Sequence, residues 1–138
     1  AAAAAAAAES PTDVSLTRPE LAAASGLGDR DVDLLESYGL VRGRPLGRDT
    51  VFDGDALIVA RLAAAFQAHG LEPRHLRMFK VAAEREAAVY EQLVTSLVRQ
   101  RNADARQRAA NRLDELAGLG HNLRTVLLRS VLRGVVGY

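Results

Sequence analysis

His69, His75 and His121 are the side chains of this 138-residue chain with the ordinary chemistry for metal binding or proton transfer near neutral pH. Their spacing is not that of a compact metal site, and with no cysteine in the chain no thiolate can complete one. They read instead as boundary and surface residues. His69 closes a helix, where an imidazolium is favoured, and His75 lies in the first turn of the next. Arg74, His75 and Arg77 gather at that helix start, where free backbone N–H groups point outward, and form a candidate site for an anion or effector. Catalytic signals are missing: there is no glycine-rich phosphate loop, nucleophile elbow or HExxH. Single carboxylates on exposed faces do not make an acid–base pair. The expectation is a non-enzyme with no cofactor and no metal.

Charge is the second source of chemistry. The formal net charge is only +1, so the total does not mark a strongly basic nucleic-acid binder. The distribution is uneven. Arg42, Arg44 and Arg48 crowd one short glycine- and proline-containing loop and are candidate contacts to DNA phosphates. From Arg99 to Arg133 eight arginines face Asp104, Asp114 and Glu115. By contrast, the stretch Gly28 to Ser37 carries Asp29, Asp31, Asp33 and Glu36 against one Arg30. A helix with that charge is repelled by DNA phosphates; it reads either as a docking face for a basic partner or as a solvated face.

The elements that hold these residues follow from caps and periodicity. Ala1 to Ala8, with the residues to position 15, read as a linker or an unassigned tract. Thr17-Arg18-Pro19-Glu20 is a capping box that opens a first helix to about Ala24, and Ser25 to Gly28 makes a turn. A second helix ends near Tyr38, with Gly39 as its C-terminal cap. Leu21 and Leu27 are expected to meet Val32 and Leu35 in a small core. Leu40-Val41 and Thr50-Val51-Phe52 read as two short strands around the loop from Arg42 to Asp49. Asp53 caps a third helix, Gly54 to His69, with an apolar face of Leu57, Ile58, Leu62, Ala65 and Phe66.

A fourth helix from Glu72-Pro73 to about Gln100 and a fifth from its cap Asn102 are both long. Leu76, Phe79, Ala83, Ala87, Tyr90, Val94 and Leu97 form the stripe of one, and Ala105 to Val131 a less regular stripe on the other. A short connection makes them antiparallel. Gly118 and Gly120 each cost ~1 kcal/mol relative to Ala in a helix, so a kink or a close helix crossing is expected there. The stripes exceed what one small domain covers. A homodimer through Tyr90, Val94, Leu97, Leu116, Leu123 and Val126 is the simplest solution. No run of ~18 apolar residues spans a membrane and no signal peptide is legible, so a cytoplasmic protein is expected.

The order helix, turn, helix, wing, helix, helix, long helix resembles the MerR family of bacterial transcription regulators. The likeness is carried by Leu21-Ala-Ala-Ala-Ser25-Gly26-Leu27, Glu36-Ser-Tyr-Gly39-Leu40, Phe52-Asp53-Gly-Asp55-Ala-Leu57 and Gly70-Leu71-Glu72-Pro73. Gly70 to Glu86 and Arg99-Gln-Arg-Asn102 resemble more closely the C-terminal half of actinobacterial FtsR-type regulators of a cell-division gene. The resemblance implies a mainly α fold: a winged helix-turn-helix over residues 16–72, then a long helical pair over 73–138 for dimerisation or regulation. It implies promoter DNA as partner, read mainly by an N-terminal domain not in this chain. The second helix departs from MerR type, with Asp33, Leu34 and Leu35 where the family presents an Arg and a Tyr pair. Two other readings stand beside it. One is a DNA-binding module using the wing arginines; the other is a sensor with an apolar ligand pocket near Tyr90 and Gly120.

Overall fold

The computed structural model describes residues 14–137, so the alanine tract lies outside the described residues. These comprise five α-helices, one 3-10 helix and a small three-stranded sheet. In chain order they are β1 (Leu16–Thr17), α1 (Arg18–Ser25), α2 (Asp29–Ser37), β2 (Arg44–Leu46), β3 (Asp49–Phe52) and α3 (Gly54–Gln67). The 3-10 helix (Pro73–Leu76), α4 (Arg77–Arg99) and α5 (Ala103–Val136) follow. Two compact units divide the chain after Ala82, within α4. Among the described residues no helix is long and apolar enough to cross a membrane.

The first unit begins with the predicted capping box. Thr17 Oγ1 accepts from the Glu20 N–H at 3.4 Å and a Glu20 carboxylate oxygen accepts from the Thr17 N–H at 2.9 Å. Two orphan donors of the helix start are thereby satisfied. Gly26 takes φ 82° and ends α1, a left-handed conformation strained for any residue with a Cβ. Leu21, Leu27, Val32 and Leu35 are buried together as expected, joined by Val41, Phe52 and Leu76.

Two expectations for this unit change. The buried face of α3 is Gly54, Ala56, Ala60 and Ala63, while Leu57, Ile58 and Phe66 are half-buried and Leu62 and Ala65 are exposed. Its closest neighbour is the alanine-rich α1, and small side chains at the contact let two helices approach. Periodicity of large residues therefore marked the flank of the contact rather than its centre. The sheet also differs. Leu40 and Val41 form no strand, because their N–H groups donate to the Leu35 carbonyl and close α2 (2.9 and 3.4 Å). The hairpin is instead Arg44–Leu46 paired with Asp49–Phe52, turning at Gly47, whose φ of 61° suits a tight turn. β3 pairs on its other side with β1, Leu16 opposite Phe52.

The 3-10 helix and the start of α4 belong to this unit: Leu76 is buried in its core and the Phe79 ring stacks on Phe66 at 5.5 Å. The second unit is the rest of α4 and α5. Asn102 Oδ1 caps α5 by accepting from the Ala105 N–H at 2.8 Å. α5 then runs 34 residues without interruption through both glycines. Val94, Ala105 and Ala109 are the buried residues of this unit, and every position from His121 to Gly137 is exposed.

Candidate functional site

The acidic helix α2 turns its carboxylates toward its own chain. Arg18 Nη1 lies 2.6 Å from a Glu36 oxygen and 3.1 Å from Asp33 Oδ1, while its guanidinium sits 5.3 Å from the centre of the Phe52 ring. The hydrogen bond to Glu36 raises the pKa of Arg18 above its ordinary value, more than burial lowers it. Asp31 Oδ2 accepts from Gln67 Nε2 at 2.9 Å. Three of its four carboxylates therefore have partners within the fold, while Asp29 and Asp33 stay exposed and Asp29 and Asp31 stand in the first turn, where the helix dipole favours them. Leu35 is fully buried, Leu34 half-buried, so neither is presented as a reader of base edges.

The three arginines of the hairpin region are all exposed: Arg42 in the loop before β2, Arg44 on β2 and Arg48 in the turn. Gly43 permits the tight entry to that hairpin. A Cβ there would overlap Thr50 and come within 2.9 Å of Glu36 Oε2 and 3.2 Å of Phe52 Cε1.

Of Arg74, His75 and Arg77, the first two touch, Arg74 Nε donating to His75 Nε2 at 3.5 Å, and Arg77 turns elsewhere. His75 Nδ1 accepts from the Glu72 N–H at 2.8 Å, which commits the ring to capping its own helix start. The Arg77 guanidinium lies over the Tyr38 ring at 5.0 Å. Arg74 faces a shallow cavity of about 420 Å³, lined also by Arg30, Asp31, Leu34, Tyr38 and Glu72. Two arginines there meet two carboxylates, so the cavity is electrically balanced rather than anion-seeking. His69 and His121 are exposed at separate places in the sequence, and among the described residues no group of three potential ligands is close enough for a metal.

In the second unit a polar cluster that the sequence did not reveal ties α4 to α5. Tyr90 Oη donates to Glu86 Oε2 at 2.7 Å, and Arg124 Nη1 pairs with the other Glu86 oxygen. The bond to Glu86 raises the Tyr90 phenol pKa. Gly120 makes room for this cluster, since a Cβ there would collide with Glu86 and Tyr90, whereas Gly118 faces open space. Of the kink or close crossing expected at these glycines, α5 shows no kink, and what Gly120 receives is the ends of two α4 side chains. The i,i+4 spacing of Glu86 and Tyr90 is the one local signal that could have found this pair, and nothing local marks Arg124. Beside the cluster lies an open, mainly apolar groove of about 470 Å³, lined by Ala87, Tyr90, Val94, Val98, Leu113 and Ala117 together with Glu91 and Asp114.

The six residues expected at a dimer interface do not behave alike. Val94 is 2% exposed, already packed within its own helical pair and out of a partner's reach. Tyr90, Leu97 and Leu116 are half-buried, whereas Leu123 and Val126 are 61% and 55% exposed. They continue into Leu119, Leu127, Val131 and Val135, none of them covered. An apolar exposure of this extent on one helix marks an interaction surface.

Residues 14–136 match the family described as Rv1828-like, C-terminal domain. The chain is also 35% identical over 125 residues to the HTH-type transcriptional regulator Rv1828 of Mycobacterium tuberculosis, and equally to Mb1859 of Mycobacterium bovis. The match takes in 91% of this chain and 49% of each relative, so the chain spans about half the length of the curated relatives it matches. A family match from the first described residue almost to the last, with relatives named as HTH-type regulators, fixes its place: the chain belongs to the Rv1828-like C-terminal domain family of transcription regulators.

Proposed function

We propose that this chain is the C-terminal regulatory and dimerisation region of a MerR-type transcription regulator, related to the FtsR-type regulators of cell division. The observation that carries the dimer is the uncovered apolar face of α5 from Leu119 to Val136. Full burial of each Leu or Val there contributes roughly 1.5–3 kcal/mol, so a few such residues support association. A two-fold dimer of this region sets the spacing of two DNA-binding heads across a palindrome. Promoter reading then falls to a further domain of the full regulator, in keeping with relatives twice as long. We read α1, α2 and the hairpin as a winged helix-turn-helix whose second helix has lost groove reading to the Arg18 clamp. Its wing arginines serve at most as phosphate contacts. The role is non-catalytic.

Sedimentation at micromolar concentration tests the dimer. The expected mass is twice that of the chain, and Leu123→Asp with Val126→Asp is expected to halve it. A wild-type monomer under those conditions refutes the proposal. A second reading is favoured by the 470 Å³ groove beside Tyr90, which suits an apolar effector. It predicts that Val98→Trp abolishes effector response while the dimer persists.

A further inference from the structure

We propose that the tip of the α4–α5 hairpin docks on the phosphate backbone of duplex DNA through Arg99, Arg101, Arg106 and Arg112. The stretch from Arg99 to Arg112 holds five arginines and one acid, Asp104. Arg108 is engaged with that Asp104 at 3.2 Å. The other four are exposed and make no side-chain hydrogen bond or ion pair among the described residues. Several arginines elsewhere are occupied: Arg18 by Asp33 and Glu36, Arg77 by the Tyr38 ring, Arg124 by Glu86. Four unneutralised cations are thus concentrated at one end of one hairpin. Arg101 is also the only non-glycine among the described residues with a positive φ, 53°. The turn carries arginine where glycine would sit without strain.

The neighbouring side chains favour DNA over a protein partner. Between Arg99 and Arg112, besides Arg101 and Arg106, stand only Gln100, Asn102, Gln107, Asn111, Asp104, Arg108 and alanines, and the nearest large apolar side chains, Val98 and Leu113, line the groove between the two helices, so the stretch itself offers no aromatic or large apolar anchor for a protein interface. Amide and arginine side chains are the usual donors to phosphate oxygens. The lack of an aromatic platform argues against single strands, whose bases need a stacking surface. A duplex presents one charge per ~1.7 Å of axis, dense enough for arginines on different sides of a hairpin tip to reach separate phosphates. The contact orients without reading sequence, and it depends neither on dimerisation nor on the wing.

The test is fluorescence anisotropy of the whole chain on a short random-sequence duplex between ~50 and ~200 mM salt, the range over which phosphate contacts are weakened strongly. Replacing Arg99, Arg101, Arg106 and Arg112 by Gln is expected to reduce affinity at least ~10-fold at the lower salt. It should also lower the salt slope by about three to four, near ~0.9 for each phosphate left without its arginine. The same four changed to Lys should keep the slope. Changing Arg42, Arg44 and Arg48 to Gln should leave the tip's share intact. Helicity verifies the fold of the fourfold variant; were it lost, Arg101→Gln and Arg112→Gln singly should each remove about one unit of slope. An unchanged slope and affinity in the Gln variants overturns the proposal. So does equal binding to polyglutamate, which would assign the patch to an acidic protein, or tighter binding to single strands.

Discussion

Arg18 shows how one side chain reassigns a whole helix. Its position after the Thr17 cap is legible, but its partners lie fifteen and eighteen residues away on α2. Held by two carboxylates and the Phe52 ring, it neutralises charge that would otherwise repel across the helix pair. Each partner is about a third exposed or more, so the ion pairs are screened and modest in strength. Arg18→Met is expected to lower unfolding free energy by about 1–2 kcal/mol, counting the ring contact. Arg18→Lys should recover only part, because ammonium lacks the planar fork. Urea denaturation measures both; a neutral Arg18→Met would mean that the clamp carries no stability. Glu20 adds a pH dependence. The Thr17 backbone N–H, and then its hydroxyl, hold the Glu20 pKa below the usual carboxylate value. A lowered folded pKa means the contribution is present above the unfolded value and is lost as pH falls through the folded one. The stability gap between wild type and Glu20→Ala should therefore hold at neutral pH and shrink below about pH 4, near the pKa of an unperturbed glutamate. A gap independent of pH would dissociate the carboxylate from the cap.

Among the elements, α5 carries two glycines with opposite roles. Gly118 faces open space in a helix interior, so Gly118→Ala should stabilise by about 0.5–1 kcal/mol through helix propensity. Gly120→Ala gains the same propensity but pushes the ends of Glu86 and Tyr90 aside. It is expected to fall short of Gly118→Ala by roughly 0.5–1.5 kcal/mol, the net contribution of a hydrogen bond. Equal thermal shifts for the two variants would show that the cluster contributes nothing. Caps and helix starts were readable because their signals are local: a side chain three residues from the amide it serves. The hairpin was misplaced for the complementary reason. Leu40 and Val41 have strand-like side chains, yet their amides were claimed by the Leu35 carbonyl, a partner that only the folded end of α2 presents. The alanine face of α3 escaped because small residues carry little hydrophobic signal although they permit the closest packing.

At the scale of the whole molecule, the two units differ in how far each completes itself. The first has a contiguous core from Leu21 to Leu76. The second buries only Val94, Ala105 and Ala109, too little apolar area to balance the entropy of ordering two long helices. Its stability is therefore expected to depend on association, and the melting midpoint of the chain should rise with protein concentration. A midpoint unchanged over a hundredfold range, or two folding transitions of which neither moves, would count against the dimer. The candidate sites follow the same division. The exposed arginines around β2 and along the α4–α5 turn were legible as charge clusters, since clustering is a property of the sequence. Whether an arginine is free or engaged was not, since that depends on which carboxylate the fold delivers.

By itself the sequence determined the caps, the turn glycines, the small core of the first unit and the presence of two long helices joined by a short turn, all from interactions spanning a few residues. Tertiary structure decided the rest: that α2 commits its acids to Arg18 and Gln67, that Val94 is used within its own chain, and that α5 leaves its leucines bare. These outcomes rest on contacts between residues distant along the chain, which no local spacing encodes.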